Sequence, residues 1–402
     1  MKYYHSSRIY TANGMKDCII GVEDGRFACF IDGTIDEEVI DFGDRRIIPG
    51  IIDTHNHGAV GYRFQALENL DELDQALIGE ASFGVTGIFP TVNKLEHLPL
   101  LVEGIKKGSA GTRILGIHSE GPWGSRVGEK GDPKNTYYMP VDLEYAKSMV
   151  ETGEGWLKLL AIAPEVPHAL EAIEYLTSQG VTCSAYHTNA NFEECNKGIE
   201  AGIRTATHLG NVMTGLHHRD VGTFGACLLD DRVWCELICD GMHVSLPMIR
   251  IVMKVKDHDK IMMVSDNGDY LGAKPGHYMG SKDNANNDRR TITVTEEGFV
   301  LSETGRISGS SKPVIYGISN LVEKLGMDLG EVVRMSSLNP ALHYGLEGRG
   351  SIARGNFADF VVIDDDYYVL NTFVDGKEVW NAEKDTRPFN PEFYDRHPLI
   401  KD

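Results

Sequence analysis

The stretch IIPGIIDTHNH, residues 47–57, decides the fold and points to its chemistry. An apolar run of the length of a β-strand ends there in His55 and His57, which are separated by one residue. Alternate side chains of a strand point to the same face, so both imidazoles lie on one side of the strand end. A pair of metal ligands has this form, although His-x-His also occurs by chance and on surface strands.

Further apolar runs follow along the chain and alternate with amphipathic helical patterns over 71–83, 96–107, 167–179 and 192–201. Gly84, Gly180 and Gly202 stand where helices end. Alternation of this kind produces a parallel sheet surrounded by helices. Eight strand–helix units predict an α/β fold, a (β/α)₈ TIM-type barrel. The eight runs are Ile47–His57, Thr86–Val92, Arg113–Glu120, Trp156–Glu165, Val181–Thr188, Arg204–Asn211, Trp234–His243 and Lys260–Asn267.

The two ends of the chain have a different pattern. Residues 1–46 and 346–402 show short alternating strands and turns such as Asp32-Gly33 and Asp375-Gly376. We therefore expect one small β-sandwich domain built from both termini, and a barrel domain over residues 47–345. We expect the β-sandwich domain to cover one side of the barrel.

Composition narrows the class of protein. The chain has 402 residues, of which 42% are hydrophobic, as a large folded protein requires. The formal net charge of −20 argues against binding to nucleic acid or to an anionic membrane, but it permits a small anionic substrate. No apolar stretch has membrane-spanning length, and residues 1–6 do not have the pattern of a secretory signal. The seven cysteines form no C-x-x-C pair, so we expect a reducing, cytoplasmic location.

Ionisable side chains end six of the eight predicted strands. In a barrel of this kind the carboxyl ends of the strands meet at one mouth, where active sites lie. A single histidine there is more often a hydrogen-bonded core residue, and a single aspartate is more often a helix cap. Several converging together indicate a functional site, formed here by His55, His57, Glu120, His187, His208, His243 and Asp266.

Imidazoles and carboxylates without a group of thiolates suit Zn²⁺ or Fe²⁺ in an open, catalytic site. Such an ion lowers the pKa of a bound water and polarises a carbonyl group, which suggests metal-assisted hydrolysis. A nearby carboxylate then moves the proton from the water to the leaving nitrogen. Asp266, at the end of the eighth run, is our candidate for this general acid/base.

Several motifs carry a family resemblance. Together with residues 49–58, they resemble the amidohydrolase superfamily and, within it, the N-acetylglucosamine-6-phosphate deacetylase family. The resemblance extends in order from about residue 47 to residue 359. The motifs are GIHSEGPW at 116–123, APE at 163–165, THLGNVM at 207–213, DGMHV at 240–244 and SLNPA at 337–341.

The resemblance implies a ligand set and a reaction. Glu120, His187 and His208 would hold the main metal ion, and Asp266 would be the general acid/base. His55 and His57 would allow a second ion bridged by Glu120, so that each subunit holds one or two divalent ions, with Zn²⁺ expected first and Fe²⁺ as the alternative. The implied reaction removes the acetyl group from N-acetylglucosamine 6-phosphate and leaves glucosamine 6-phosphate and acetate.

The resemblance also implies where the substrate, a small amino-sugar phosphate, would bind. Asn211, Val212 and Arg219 would bind the phosphate, Arg219 across the interface of a homodimer, and His243 would contact the sugar. From the residues alone, Arg219 fits a solvated surface arginine equally well. His243 fits a satisfied buried histidine.

The chain departs from the family pattern at the mouth. Residues 129–135 lack the histidine of the family's Lys-Gly-x-His segment, and Asn267 follows Asp266 where most members have alanine. A polar insert at 280–290 and the sequence SSKP at 310–313 are also unusual. Two alternatives therefore stay open. One is a related amidohydrolase for another N-acyl amino sugar, an N-acyl amino acid or a cyclic amide, and the other is a non-catalytic binding protein.

Overall fold

The structure is a computed structural model that describes residues 1–125, 140–282, 289–385 and 400. Its centre is a barrel of eight parallel strands, numbered here in chain order. The first and eighth strands meet where Asp266 N donates to His55 O (3.0 Å) and His57 N donates to Asn267 O (2.8 Å). The predicted (β/α)₈ barrel is thus confirmed. The strands are Ile51–Asn56, Val85–Val92, Ile117–Trp123, Leu157–Ile162, Thr182–Ala185, Ile203–Ala206, Trp234–Ile238 and Ile261–Val264, and the short strand Arg113–Ile114 pairs with the second.

A helix follows each barrel strand, and two more complete the domain. The predicted helix 192–201 has the bounds observed, because Asn191 and Glu194 form a capping box at its start and Gly202 ends it. The α-helices are Leu70–Ala81, Leu98–Lys107, Leu143–Thr152, Ala169–Ser178, Phe192–Ala201, Gly222–Leu229, Leu246–Val255, Val314–Ser319, Leu329–Ser336 and Leu338–His343. Shorter helical turns span Phe64–Ala66, Leu95–His97, His258–Lys260 and Asn320–Lys324.

The first predicted run divides into two strands at Gly50. Arg46–Pro49 pairs with Phe360–Ile363 outside the barrel, whereas Ile51–Asn56 is the first barrel strand. Gly50 sits tightly against the second barrel strand, since a Cβ there would lie 2.1 Å from the Thr86 hydroxyl oxygen. Only glycine allows this approach at the crossing from one sheet to the other.

Strands from both ends of the chain form the terminal sheet. Its order places Arg46–Pro49 between the C-terminal strands and the N-terminal strands. Its core contains stacked and edge-on aromatic rings, among them Tyr4, Phe360 and Phe373. The domain boundaries at 46 and 346 stay a prediction. The strands are Lys2–Thr11, Gly14–Glu23, Arg26–Ile31, Val39–Asp41, Arg46–Pro49, Phe360–Ile363, Val369–Val374 and Lys377–Asn381.

In the sequence, a second antiparallel sheet is inserted between the eighth barrel strand and the helix Val314–Ser319. The polar segment 280–290 belongs to it in part, and residues 283–288 lie outside the described structure. Ser310 N at its end donates to Asp266 O (2.9 Å), so this sheet is anchored at the mouth of the barrel. Its strands are Gly276–Lys282, Arg289–Val294, Phe299–Ser302 and Ile307–Ser310, and a small hairpin pairs Gly58–Ala59 with Tyr62–Arg63. Within the described ranges, no helix has both the length and the apolar character needed to cross a bilayer.

Candidate metal centre

The strand ends bring six predicted residues together at one mouth of the barrel. His55 and His57 end the first strand, Glu120 lies in the third, and His187, His208 and Asp266 each follow a strand by two residues. Their side chains are at most 16% exposed, so the cluster is shielded but accessible. We call these six residues the mouth cluster.

Glu120 lies among the histidine rings. His208 Nε2 is 3.2 Å from Glu120 Oε1, and His57 Nε2 is 3.3 Å from Glu120 Oε2. His55 Nε2 is 3.6 Å from Oε1, and His187 Nε2 is farther, at 3.9 Å. Both carboxylate oxygens therefore face imidazole nitrogens.

Asp266 faces the histidine pair of the first strand. Its Oδ1 atom is 3.4 Å from His55 Nε2 and 3.3 Å from His57 Nε2. The two Nε2 atoms are 3.3 Å from each other, as the strand spacing predicts for side chains on one face.

Three members of the mouth cluster have left-handed backbones. The φ angles are 31° at His187, 32° at His208 and 50° at Asp266. Non-glycine residues rarely adopt this region, and each instance costs about 1–3 kcal/mol, which other contacts must offset. At His187 those contacts are visible, because Thr188 N donates to Val212 O (3.0 Å) and the Thr188 hydroxyl donates to Glu165 (2.6 Å).

The charges of the mouth cluster favour a cation. Burial would raise the pKa of Glu120 and of Asp266, but the neighbouring imidazoles outweigh it and hold both pKa values below the ordinary range. Burial and the nearby His208 lower the pKa of His187 to about 3, which keeps this ring neutral with a free lone pair. At His55, burial opposes protonation, yet the surrounding carboxylates raise the pKa to about 10. A divalent cation would satisfy the same carboxylates.

The donor atoms fit an ion in two overlapping arrangements. Two groups of ligand atoms, each within 4.8 Å, share His55: one adds Glu120 and His208, and the other adds His57 and Asp266. Imidazole and carboxylate donors are those of open zinc and iron sites. His187 lies in neither group, although it faces Glu120.

A third group, which the sequence interpretation missed, lies behind His55. His118 and Glu236 are fully buried beside the His55 ring. Glu236 Oε2 is 3.6 Å from His55 Nδ1, and Glu236 Oε1 accepts a hydrogen bond from the Thr54 hydroxyl (2.7 Å). A carboxylate behind a ligating histidine orients the ring. The signal was available in the sequence: a glutamate in the middle of the apolar seventh strand.

The predicted substrate residues fall into two sets. His243 is buried beside the mouth cluster, where its Nδ1 is 2.7 Å from Asp240 Oδ2. Burial opposes protonation of His243, but Asp240 outweighs it and raises the pKa. Asn211 and Val212 follow His208, and the Asn211 amide side chain donates to His208 O (3.0 Å). Arg219, in contrast, lies on an exposed loop. The segment 129–135 lies outside the described residues.

A family model described as the amidohydrolase family matches residues 46–379, which is most of the chain. The chain belongs to the amidohydrolase family. Curated amidohydrolase relatives match it over nearly their whole length. The chain is 30% identical to the N-acetylglucosamine-6-phosphate deacetylase of Bos taurus over 374 residues, 88% of each chain. It is 29% identical to the N-acetylgalactosamine-6-phosphate deacetylase of Escherichia coli O157:H7 over 342 residues, 82% of this chain and 87% of that one.

Solved structures agree with this family assignment. The N-acetyl-D-glucosamine-6-phosphate deacetylase of Mycobacterium smegmatis, a mutant in complex with N-acetyl-D-glucosamine-6-phosphate, superposes with a TM-score of 0.85 at 26% identity. The match covers 94% of this amidohydrolase and 99% of that chain. The N-acetylglucosamine-6-phosphate deacetylase of Pasteurella multocida gives 0.84 at 26% identity, over 94% and 99% of the two chains.

Proposed function

We propose that this protein is a metal-dependent hydrolase that removes the acetyl group from N-acetylglucosamine 6-phosphate. The observation that carries the proposal is the mouth cluster, in which six ionisable side chains from five strand ends face one another. Relatives named for this activity match the chain over nearly their whole length, which supports the choice of substrate.

In this proposal Glu120, His187 and His208 would hold the main ion. His55 and His57 would hold a second ion, to which Glu120 would also contribute. Zn²⁺ is the proposed metal, and Fe²⁺ is the alternative, because both accept imidazole and carboxylate ligands. When bound, the ion polarises the amide carbonyl group and lowers the pKa of the attacking water.

Asp266 moves the proton. As a carboxylate it would accept a proton from the attacking water. The same carboxyl group then donates that proton to the nitrogen as the carbon–nitrogen bond breaks. Its Oδ1 atom is 3.4 Å from His55 Nε2 and 3.3 Å from His57 Nε2, which supports a role beside the proposed metal site.

The sugar phosphate is bound by groups around the mouth. Asn211 and Val212 supply backbone and amide groups, His243 contacts the sugar, and Arg219 presents a planar fork of donors to the phosphate. Arg219 is exposed, and in this proposal it reaches the phosphate across the interface of a homodimer. The homodimer and the cytoplasmic location stay predictions.

A second candidate substrate is N-acetylgalactosamine 6-phosphate, which differs at one hydroxyl group. The Escherichia coli O157:H7 relative named for it is as similar as the others, and this chain departs from the deacetylase pattern at the mouth, where a sugar is recognised. A non-catalytic binding protein is a weaker alternative. Such a protein has no need for several buried polar groups, each of which is costly to desolvate.

The test is acetate release by metal-analysed protein from three sugars: the two N-acetyl sugar 6-phosphates and unphosphorylated N-acetylglucosamine. We expect release from N-acetylglucosamine 6-phosphate and little from the unphosphorylated sugar. Faster release from the galactose epimer would move the assignment to the second candidate. No release from any of the three, with metal bound, would contradict the proposal.

A further inference from the structure

Behind Asp266 lies a buried network of polar side chains that the proposed mechanism does not use. It joins the first barrel strand, the eighth barrel strand and the helix Leu70–Ala81. Every member is at most 3% exposed. We call it the Glu80 network, and its members are Asp53, Asn56, Glu80, Ser265 and Asn267.

Glu80 is the acceptor at the centre of the network. Its Oε1 atom accepts from the side-chain amide of Asn56 (2.9 Å) and from that of Asn267 (3.1 Å). Asn56 stands between His55 and His57, and Asn267 directly follows Asp266. One carboxyl group thus holds the neighbours of three mouth-cluster residues.

Ser265, which precedes Asp266, is also held by hydrogen bonds. The Ser265 hydroxyl donates to Asp53 Oδ2 (2.5 Å), and Ser265 N donates to Asp53 Oδ1 (3.3 Å). Asp266 lies between two fixed residues, and its own backbone has φ = 50°. A left-handed conformation at a non-glycine residue persists only where the surroundings enforce it.

Glu80 is an unusual residue for its place. It lies on the buried face of its helix among Leu73, Ala76 and Leu77, and its Oε2 atom has no hydrogen-bond partner among the residues that the structure describes. Burial and the nearby Asp53 raise the pKa of Glu80 to about 8. An apolar side chain would pack here without that cost, but it could not accept from two amides.

Asn267 is the matching departure in the sequence. In the structure the Asn267 side chain donates to Glu80 and to Gly58 O (2.9 Å). The unusual asparagine therefore has a hydrogen-bond partner in the structure, and that partner is Glu80.

We propose that Glu80 is a positioning residue: through Asn56 and Asn267 it fixes the backbone that carries Asp266 and the His55–His57 pair. The inference rests on the proposed function for the role of Asp266, but not for the geometry. Without Glu80, the side-chain amides of Asn56 and Asn267 each lose one of their acceptors, and the turn at Asp266 loses one of its restraints.

The test compares Glu80→Gln, Glu80→Leu and Asn267→Ala with the natural chain. Glutamine keeps the Oε1 acceptor, whereas leucine removes it. We expect Glu80→Leu to lower kcat for acetate release by about 10–100-fold with KM within about threefold, the usual size of effect for residues that orient metal-site groups. Glu80→Gln should restore kcat to within about threefold of the natural value. Asn267→Ala should lower kcat less than Glu80→Leu does, because Asn56 keeps its bond to Glu80.

A second readout does not need the substrate. The protein loaded with Co²⁺ has an absorption spectrum that reports the geometry of the metal site. We expect Glu80→Leu to change this spectrum and Glu80→Gln to restore it. If the natural protein releases acetate from none of the sugars, the proposed function fails, and the Co²⁺ spectra still decide whether Glu80 positions the site.

Asp359→Asn is the control for loss of stability alone. Asp359 is buried and pairs with Arg349 by the terminal sheet, away from the mouth cluster. It should lower the melting temperature and leave kcat and the Co²⁺ spectrum unchanged. A Glu80→Leu protein that behaves like this control would overturn the proposal. If Glu80→Leu does not fold, Asn267→Ala with unchanged kcat and spectrum would overturn it.

Discussion

The mouth cluster and the core of the terminal sheet are both largely closed to solvent, yet they consist of opposite kinds of side chain. The mouth cluster contains imidazoles and carboxylates on strained backbone. The terminal core contains aromatic rings such as Tyr4, Phe360 and Phe373 in regular strands. The comparison shows that burial has different purposes in the two regions.

Burial stabilises the fold in the terminal core and opposes folding in the mouth cluster. Each large apolar side chain in the terminal core contributes about 1.5–3 kcal/mol relative to an exposed position. In the mouth cluster, desolvation and the left-handed residues act against folding until partners offset them. Substitutions should therefore separate chemistry from stability.

The largest expected effect is that of Asp266→Asn. The amide cannot accept or donate the proton, so kcat should fall by about 10²–10⁴-fold, the usual contribution of a general acid/base. The two side chains have nearly the same shape, so the protein should keep its fold and the ion that we propose Glu120, His187 and His208 hold. Rate measurements and metal analysis on the same sample check this. Unchanged turnover would remove Asp266 from the mechanism.

Phe360→Ala tests the other region. The Phe360 ring is fully buried, stacks on Phe373 at 4.2 Å between centroids and meets Tyr4 edge-on at 5.3 Å. Its truncation should lower the free energy of unfolding by about 3–5 kcal/mol, with a smaller loss for Phe360→Leu. Denaturant titration measures this loss.

At a temperature where Phe360→Ala remains folded, kcat should not change. Phe360 pairs with Pro49, which precedes the first barrel strand. A large fall in kcat would therefore mean that the terminal sheet also positions His55 and His57, and the separation of the two regions would fail.

The pH dependence of stability contrasts Glu80 with its glutamine variant. The pKa of Glu80 is raised from 4.5 to about 8 in the folded protein, so the folded state keeps a proton that the unfolded chain loses. Its contribution to stability is fully present below pH 4.5 and is lost as pH rises to about 8. Glu80→Gln cannot titrate. The stability of the natural protein relative to this variant should fall across that window, by at most about 1.4 kcal/mol per pH unit.

Denaturant titrations of the metal-free proteins at several pH values measure this difference. Other titrating groups are present in both proteins, so the difference reports Glu80 together with its interaction with Asp53. Parallel stability curves for the two proteins would show that Glu80 is already ionised in the folded state.

The sequence predicted the barrel and the mouth cluster because both depend on local pattern. Alternating apolar runs and helices define the fold, and the spacing of His55 and His57 places both rings on one face. The helix 192–201 could be bounded because its caps, Asn191 and Gly202, are adjacent in sequence.

What the sequence could not predict depends on contacts between distant segments. The division at Gly50 follows from its closeness to Thr86 in another strand. In the sequence Glu80 looks like an ordinary helix residue. Its contacts with Asn56 and Asn267 form only in the folded protein. Neither contact has a signal in the local pattern.

The smallest effect on the fold is expected for Arg219→Ala, which tests whether the comparison extends to the surface. The Arg219 side chain is exposed, so its removal should change the free energy of unfolding by less than about 0.5 kcal/mol. If Arg219 binds the phosphate, KM for the phosphorylated sugar should rise about tenfold or more, since a charge-assisted contact contributes about 1.5–3 kcal/mol. The slow reaction with unphosphorylated sugar should not change, and Arg204→Ala, in the sixth strand, is a control for loss of an arginine away from this loop. If KM stays the same for the phosphorylated and for the unphosphorylated sugar, Arg219 is a solvated surface arginine and the phosphate is bound by the groups around Asn211.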